Sequence, residues 1–145
     1  MIYTETGKYA IRALLYLADA EDGRTVTASE IATAEGIPPY YLAKVLKDLS
    51  NAGILSSVRG RGGGFQLSRG ADVITVLEVL EAAEGLSRRI KACVLGLDEC
   101  SDEAPCAMHD YWSSFRDTTL DTLGKLTMAE LLAELHEKRE KASVA

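Results

Sequence analysis

The sequence predicts a mainly α-helical fold class with one small β-hairpin, and three observations predict it. Apolar residues recur at helical spacing in several separate segments. Three of these segments begin at a Thr-x-x-Glu capping box, in which a threonine and a glutamate side chain satisfy each other's free backbone amides. Four glycines fall between residues 60 and 64, a run that suits the tip of a hairpin better than a helix.

The first three predicted helices follow one another closely. The first runs over residues 9–20, and its predicted buried stripe is Ile11, Leu14, Leu15 and Ala18. The second begins at the Thr27 capping box and ends at Gly36. The third begins at residues 38–39, because proline suits the first turn of a helix, and continues to residues 51–53. Its predicted inward stripe is Leu42, Val45, Leu46 and Leu49.

A hairpin with a basic tip follows the third helix. Residues 54–55 and 65–67 are predicted strands, and the tip between them carries Arg59 and Arg61. A phosphate-binding nucleotide loop would need a following helix and a Lys-Ser/Thr signature, whereas a strand follows these glycines. A short helix, a turn, a second helix and a basic hairpin are the pattern of a winged helix–turn–helix, with the hairpin as the wing.

This pattern predicts contacts with duplex DNA. The third helix offers Tyr40, Tyr41 and Lys44 to base edges or phosphates in a major groove, with Lys47 on the backbone. In the wing, Arg59 and Arg61 are expected in a minor groove or against phosphates. The plain alternatives are a solvated lysine face and a merely flexible turn.

The charge is unevenly distributed along the chain. The net charge of -6 opposes long-range attraction to DNA. Residues 1–70, however, carry eight Lys/Arg against seven Asp/Glu, whereas residues 71–145 carry eight against fifteen. Between residues 41 and 69 there are five basic side chains and one acidic one, Asp48. A local basic face can therefore still supply the DNA contacts.

The second half begins with a predicted helix over residues 75–85, whose buried face is Val76, Val79, Leu80 and Ala83. Residues 87–91 are expected to lead into a loop that contains the cysteines. A long helix over residues 109–123 carries a large apolar face made of Trp112, Phe115, Thr119, Leu120 and Leu123. A last helix opens at Thr127, continues through Leu131, Leu132 and Leu135, and is expected to fray at residues 137–141.

Three cysteines and a histidine form the pattern Cys93-x6-Cys100-x5-Cys106-x2-His109. An odd number of cysteines without a secretory signal argues against a disulfide framework. Thiolates and one imidazole suit an iron–sulfur cluster or a structural zinc ion, and unligated thiols are the third interpretation. No Ser/His/Asp or Cys/His pairing with an orienting acid is evident, so we predict no catalytic residues and no enzyme activity.

The N-terminal residues lack a charged segment followed by an apolar one, and no window approaches the roughly 18 apolar residues of a membrane span. With 145 residues, one cytoplasmic folding unit without membrane contact is expected.

Five motifs together resemble the Rrf-type family of winged-helix iron–sulfur regulators, which includes IscR-like and NsrR-like members. The motifs are Gly7-Lys8-Tyr9-Ala10, Gly36-Ile37, Tyr41-Leu42, the wing string Ser57-Val58-Arg59-Gly60-x-Gly62-Gly63-Gly64 and the three spaced cysteines. The resemblance implies a transcriptional regulator, usually a repressor, that binds a palindromic operator as a homodimer. It adds Ser57 to the DNA contacts and assigns the apolar face of the 109–123 helix to the dimer interface.

The resemblance also implies a cofactor and a division of the chain. In the IscR-like branch a histidine three residues after the last cysteine is the fourth ligand, which implies a 2Fe-2S cluster on Cys93, Cys100, Cys106 and His109. The NsrR-like branch takes a 4Fe-4S cluster with an aspartate near the N-terminus, where this chain has Lys8, so 2Fe-2S is favoured. The implied segments are 1–85 for DNA binding, 86–109 for the cluster and 110–145 for the dimerisation and C-terminal helices.

Two other functions are compatible with these residues. The first is a DNA-binding repressor that uses the cysteines for zinc or as reactive thiols, without a cluster. The second is an iron–sulfur electron-transfer protein whose basic face docks an acidic partner. One departure from IscR-like recognition helices is Ala43, where a glutamate is common.

Overall fold

The computed structural model describes residues 2–20, 22–97 and 99–144. Residues 1, 21, 98 and 145 lie outside the described residues. Residues 1 and 145 are the outer limits of the three predicted segments. The helices are α1 (Glu5–Asp19), α2 (Ala28–Glu35), α3 (Pro39–Asn51), α4 (Val76–Glu84), α5 (Leu86–Ile90), α6 (His109–Lys125) and α7 (Met128–Val144); the strands are β1 (Leu55–Val58) and β2 (Gly64–Leu67). The predicted fold class is confirmed. Among the described residues, no helix is long and apolar enough to cross a membrane.

The core lies beneath α3 and α4, whose predicted buried faces are both confirmed. In α3 the buried residues are Leu42, Val45, Leu46 and Leu49, and in α4 they are Val76, Val79, Leu80 and Ala83. Helix α1 packs against both of these helices, and α2 packs against α3. One apolar core therefore holds the helix–turn–helix.

Of the predicted buried stripe of α1, Leu14 is confirmed, but the other buried positions are shifted toward smaller residues. The buried positions are Gly7, Ala10, Ala13, Leu14 and Leu17. The predicted Ile11, Leu15 and Ala18 are only half-buried. Small residues face the core because α4 lies very close: a Cβ added at Gly7 would come within 2.8 Å of a methyl carbon of Leu80. The spacing of apolar residues carries no information about this close approach, which selects small residues on the side of α1 that faces α4.

The capping boxes at the start of α4 and α7 are complete, but the box at α2 is only half formed. The Thr27 hydroxyl accepts a hydrogen bond from the Glu30 amide. The Glu30 carboxylate, however, accepts from Arg24 and Tyr16, and these hydrogen bonds lower the pKa of Glu30 below its usual value. Glu30 therefore fastens the start of α2 to the preceding loop and to α1.

Two segments of the second half are more helical than expected. Residues 86–90, expected to lead into the cysteine loop, form α5 directly after Gly85, which ends α4 in the left-handed conformation. Helix α7 continues to Val144 through the predicted fraying region, where an ion pair joins Lys141 to Glu137 at 3.6 Å. The division into segments 1–85, 86–109 and 110–145 stays a prediction.

The wing is an antiparallel hairpin that a third segment supports. Its register pairs Leu55 with Leu67 and Val58 with Gly64. Val26, before α2, adds a backbone bridge to Phe65 with N–H···O distances of 2.9 and 2.7 Å. Gly64 has a φ of +147°, and a Cβ there would lie 2.5 Å from the Val26 carbonyl oxygen. The bridge fixes the base of the wing to the helix–turn–helix, a contact that the sequence analysis did not predict.

Candidate functional site

Two tyrosines project from the first turn of α3. Tyr40 is 83% exposed and Tyr41 is 53% exposed. Their rings meet edge to face with centroids 6.1 Å apart, and the Tyr41 ring also lies 6.3 Å from that of Tyr9 in α1. Tyr41 is therefore braced from α1, whereas Tyr40 extends freely into solvent. Both predicted contact residues lie at the end of the helix that a helix–turn–helix directs at base edges.

The two lysines of α3 are also exposed. Lys44 Nζ lies 3.0 Å from the Asp48 carboxylate one turn later. Because an exposed pair of this kind contributes only about 0–1 kcal/mol, Lys44 can exchange its partner for a phosphate at little cost. Lys47 lies about one turn after Lys44, on the exposed side of the same helix.

The wing exposes the three residues predicted to contact DNA, Ser57, Arg59 and Arg61. Its tip is tied to the body, because the Thr25 hydroxyl donates a 2.7 Å hydrogen bond to the Gly62 carbonyl oxygen. Helix α3 packs against β1, so the helix and the wing form one adjoining, cationic and aromatic surface. We call Tyr40, Tyr41, Lys44, Lys47, Ser57, Arg59 and Arg61, the residues predicted to contact DNA, the DNA-binding face.

Arg69 belongs to the scaffold and not to this face. Its guanidinium donates to the Glu78 carboxylate and to the Val73 carbonyl oxygen, both at 2.8 Å. The Arg69 hydrogen bond, together with the Thr75 backbone amide, lowers the pKa of Glu78 below its usual value. Of the five basic side chains between residues 41 and 69, Arg69 therefore stabilises the junction between the wing and α4.

The four predicted cofactor ligands line one pocket. This cysteine pocket has a volume of about 190 Å³, and its lining includes Cys93, Cys100, Cys106 and His109. The three cysteines are free thiols. The surrounding segments, residues 91–97 and 99–108, are held by a bridge between Ala92 and Glu99 and by a 3.0 Å hydrogen bond from the Trp112 indole to the Ala92 carbonyl oxygen. The end of α5 and the start of α6 thus bring the cysteines together.

His109, the first residue of α6, is the buried polar group of this pocket. Its Nδ1 lies 3.3 Å from Cys100 Sγ, and its Nε2 lies 2.8 Å from Asp102 Oδ1. No Cys/His pairing with an orienting acid was evident in the sequence, whereas the structure brings Cys100, His109 and Asp102 into contact. The Asp102 contact depends on how the loop folds back, so spacing alone gave no signal for it.

The donor set fits an iron–sulfur group in its chemistry, since three thiols and an imidazole are the ligands that such groups take. Within the described residues, no three Cys, His, Asp or Glu side chains converge on one point as they would around a single metal ion. The pocket therefore gathers the donors without arranging them for one ion.

A buried carboxylate connects α5 to α1, and the sequence analysis missed it. The Glu84 side chain, 6% exposed, accepts hydrogen bonds from the backbone amides of Thr4 and Gly7 at 3.0 and 3.1 Å. It also pairs with Arg89 of α5 at 2.7 Å. The Thr4 side chain does not cap α1, so Glu84 satisfies those amides. Glu84 thereby joins α5, which leads into the cysteine loop, to α1, which packs against α3.

Helix α6 carries an apolar face without full cover. In this helix His109 is the buried residue, and the predicted interface residues are all half-buried: Trp112, Phe115, Thr119, Leu120 and Leu123. The Trp112 and Phe115 rings stack with centroids 5.5 Å apart, and the neighbouring Tyr111 is exposed. This face is suited to a further apolar partner.

Comparison with protein families gives one extensive match. The Rrf2 family, described as iron-dependent transcriptional regulators, matches residues 3–134. The chain is 37% identical over 134 residues to a candidate HTH-type transcriptional regulator of Aquifex aeolicus, covering 91% of this chain and 92% of the relative. It is 32% identical over 137 residues to an rrf2-like regulator of Rhodobacter capsulatus, covering 90% and 91%.

Solved structures share the fold. CymR of B. subtilis, described as a global cysteine regulator, superposes with a TM-score of 0.76 at 24% identity, over 90% of this chain and 95% of that one. T. potens IscR gives a TM-score of 0.75 at 24% identity, over 93% and 88%. The oxidized form of Staphylococcus aureus CymR gives 0.72 at 27% identity, over 91% and 96%.

Proposed function

Because the chain belongs to the Rrf2 family of DNA-binding transcriptional regulators, which are not enzymes, we propose that it is a cytoplasmic repressor whose operator binding is controlled by an iron–sulfur cluster. The single observation that carries this proposal is the cysteine pocket, in which three free thiols and a buried imidazole line one cavity. Family membership accounts for the DNA-binding part, and the pocket supports the control by a cofactor.

The DNA-binding face would act in two grooves. The exposed tyrosines at the start of α3 would reach base edges, with Lys44 and Lys47 on adjacent phosphates. Arg59 and Arg61 of the wing would occupy the minor groove or contact its phosphates, with Ser57 as a further polar contact. Since the tip and base of the wing are both tied to the segment before α2, the two elements would meet DNA at a fixed spacing.

The apolar face of α6 supports a homodimer. A second copy would cover Trp112, Phe115, Thr119, Leu120 and Leu123, which this chain leaves half-buried. A dimer places two recognition helices about one helical turn of DNA apart or a multiple of it, and the operator would then be palindromic.

The cofactor we propose is a 2Fe-2S cluster held by Cys93, Cys100, Cys106 and His109, in preference to 4Fe-4S. Such a cluster supplies a redox-active group that iron status, oxidants or nitric oxide can alter. The chain's own residues provide three soft thiolate donors and a neutral imidazole nitrogen. Near the N-terminus, where a 4Fe-4S cluster would need an acidic ligand, Glu5 is paired with Lys8.

A change in the cysteine pocket would reach DNA through Glu84. Movement of the loop that contains Cys93 would displace α5 and its Arg89, which pairs with Glu84. Glu84 in turn caps α1, and α1 packs against α3. The proposed regulation is a shift between two arrangements of this connected unit, with the cofactor-bound pocket favouring one of them.

Metal analysis tests the cofactor. Protein purified without oxygen is expected to be coloured and to contain about two iron and two sulfide ions per chain, the composition of the proposed cluster. Atomic absorption and acid-labile sulfide assays measure both. A colourless preparation without iron or sulfide overturns the cluster, and stoichiometric zinc in its place supports the zinc-stabilised alternative.

A thiol-based repressor without a cluster is the second candidate. The observation that favours it is the 3.3 Å contact between Cys100 Sγ and His109 Nδ1, since a thiol beside an imidazole base is the arrangement in which cysteines react. The electron-transfer interpretation is not retained, because the family consists of transcriptional regulators.

A further inference from the structure

We propose that Asp102 is a positioning residue that fixes the ring of His109, so that Nε2 carries a proton and Nδ1 is the nitrogen available to iron. The geometry behind this proposal is a chain of three side chains. Asp102 Oδ1 lies 2.8 Å from His109 Nε2, and His109 Nδ1 lies 3.3 Å from Cys100 Sγ. The role of Nδ1 as an iron ligand rests on the proposed cluster, whereas the proton position does not.

Hydrogen-bond chemistry determines which nitrogen carries the proton. An ionised carboxylate only accepts hydrogen bonds, so the 2.8 Å contact requires an N–H on Nε2. In the neutral ring Nδ1 then has its lone pair directed at Cys100, whose thiol can donate to it. In the opposite tautomer, a lone pair on Nε2 would face a lone pair on Asp102 Oδ1, and this hydrogen bond would be lost. Both contacts are satisfied together only when Nε2 is protonated.

The positions of the two residues suit a ligand and its outer partner. His109 is nearly buried, with its side chain 8% exposed, whereas the Asp102 side chain is 95% exposed. Metal-binding histidines commonly donate their second N–H to a carboxylate, which fixes the ring and strengthens the ligand. Because Asp102 is hydrated, we expect the lower end of the usual effect, about a 10-fold change in cofactor retention.

The first test uses the cluster-free protein. Long-range ¹H–¹⁵N correlation spectra of the imidazole rings report which nitrogen is protonated, and a His136→Gln variant assigns the two histidines. We expect Nε2–H in the wild type, and in Asp102→Ala a shift of several-fold toward the Nδ1–H form. Glu103→Gln, a neutralised neighbour in the same loop, is the matched control and should leave the ring unchanged. An Nδ1–H ring in the wild type, or no difference between Asp102→Ala and the control, overturns the proposal.

The second test uses protein loaded with iron and sulfide under anaerobic conditions. Asp102→Ala should lose its iron to a chelator about 10 times faster than Glu103→Gln, and Asp102→Asn, which keeps an acceptor oxygen, should be intermediate. Equal rates in all three variants contradict the positioning role. If no variant incorporates iron, the cluster fails as the cofactor, while the ring spectra still decide whether Asp102 positions His109.

Discussion

Reversing the charge of Arg59 with Arg59→Glu is expected to weaken operator binding about 100-fold at moderate salt. The side chain is exposed at the tip of a wing whose base is fixed by the Val26–Phe65 bridge, so its position relative to the helix–turn–helix is held. Loss of one specific arginine contact costs about 1–3 kcal/mol, and a carboxylate beside phosphates adds repulsion. The slope of log K against the logarithm of the salt concentration should become shallower by about one to two, since each phosphate contact contributes roughly 0.9 to that slope.

Fluorescence anisotropy with a duplex selected by the wild-type protein from a random-sequence pool measures this effect. Lys138→Glu is the matched control, because it makes the same charge change at an exposed position of α7, away from the proposed face. If both variants lose the same affinity, only net charge matters and the wing is not a DNA contact.

Removing the Glu84 carboxylate with Glu84→Ala is expected to reduce the free energy of unfolding by about 2–3 kcal/mol. The change leaves the buried Gly7 amide without its acceptor and Arg89 without its partner, whereas the exposed Thr4 amide can bond to water instead. An unsatisfied buried group costs about 1–3 kcal/mol, and the value for the ion pair is reduced because Arg89 is partly exposed. The carboxylate also lies at the positive N-terminal end of α1, where negative charge is stabilising.

Urea unfolding followed by circular dichroism gives this energy. Glu134→Ala, on the exposed surface of α7, provides the control and should change stability by less than about 0.5 kcal/mol. Glu84→Gln should be intermediate, since an amide oxygen can accept some of the same hydrogen bonds. A Glu84→Ala protein as stable as the control would show that Glu84 does not hold α1 and α5 together.

Local patterns predicted the parts of the fold that depend on local chemistry. The stripes of α3 and α4 and the strands of the wing follow from apolar spacing and glycine placement. The register of α1 could not be predicted this way, because the close approach of α4 at Gly7 selects small residues over Ile11 and Leu15. The half-formed box at α2 has a similar cause, since Arg24 and Tyr16 compete successfully for Glu30.

The candidate site was predictable where one segment supplies its residues. Spacing and resemblance identified Cys93, Cys100, Cys106 and His109, and the structure places all four on one pocket. The contact of Glu84 with Gly7 joins residues 77 positions apart, and no local pattern encodes such a pairing. Asp102 is close in sequence to His109, but only the folded loop directs its carboxylate at Nε2.

The central claim is that the cysteine pocket controls DNA binding. The most direct test compares the operator affinity of one anaerobic preparation before and after its iron is removed by a chelator, with Cys106→Ala as a variant that should not respond. We predict a difference of about 5- to 150-fold between the two forms of the wild type, the range typical of coupled sites. Equal affinity of the iron-loaded and iron-free wild type, or the same response in Cys106→Ala, would contradict the account.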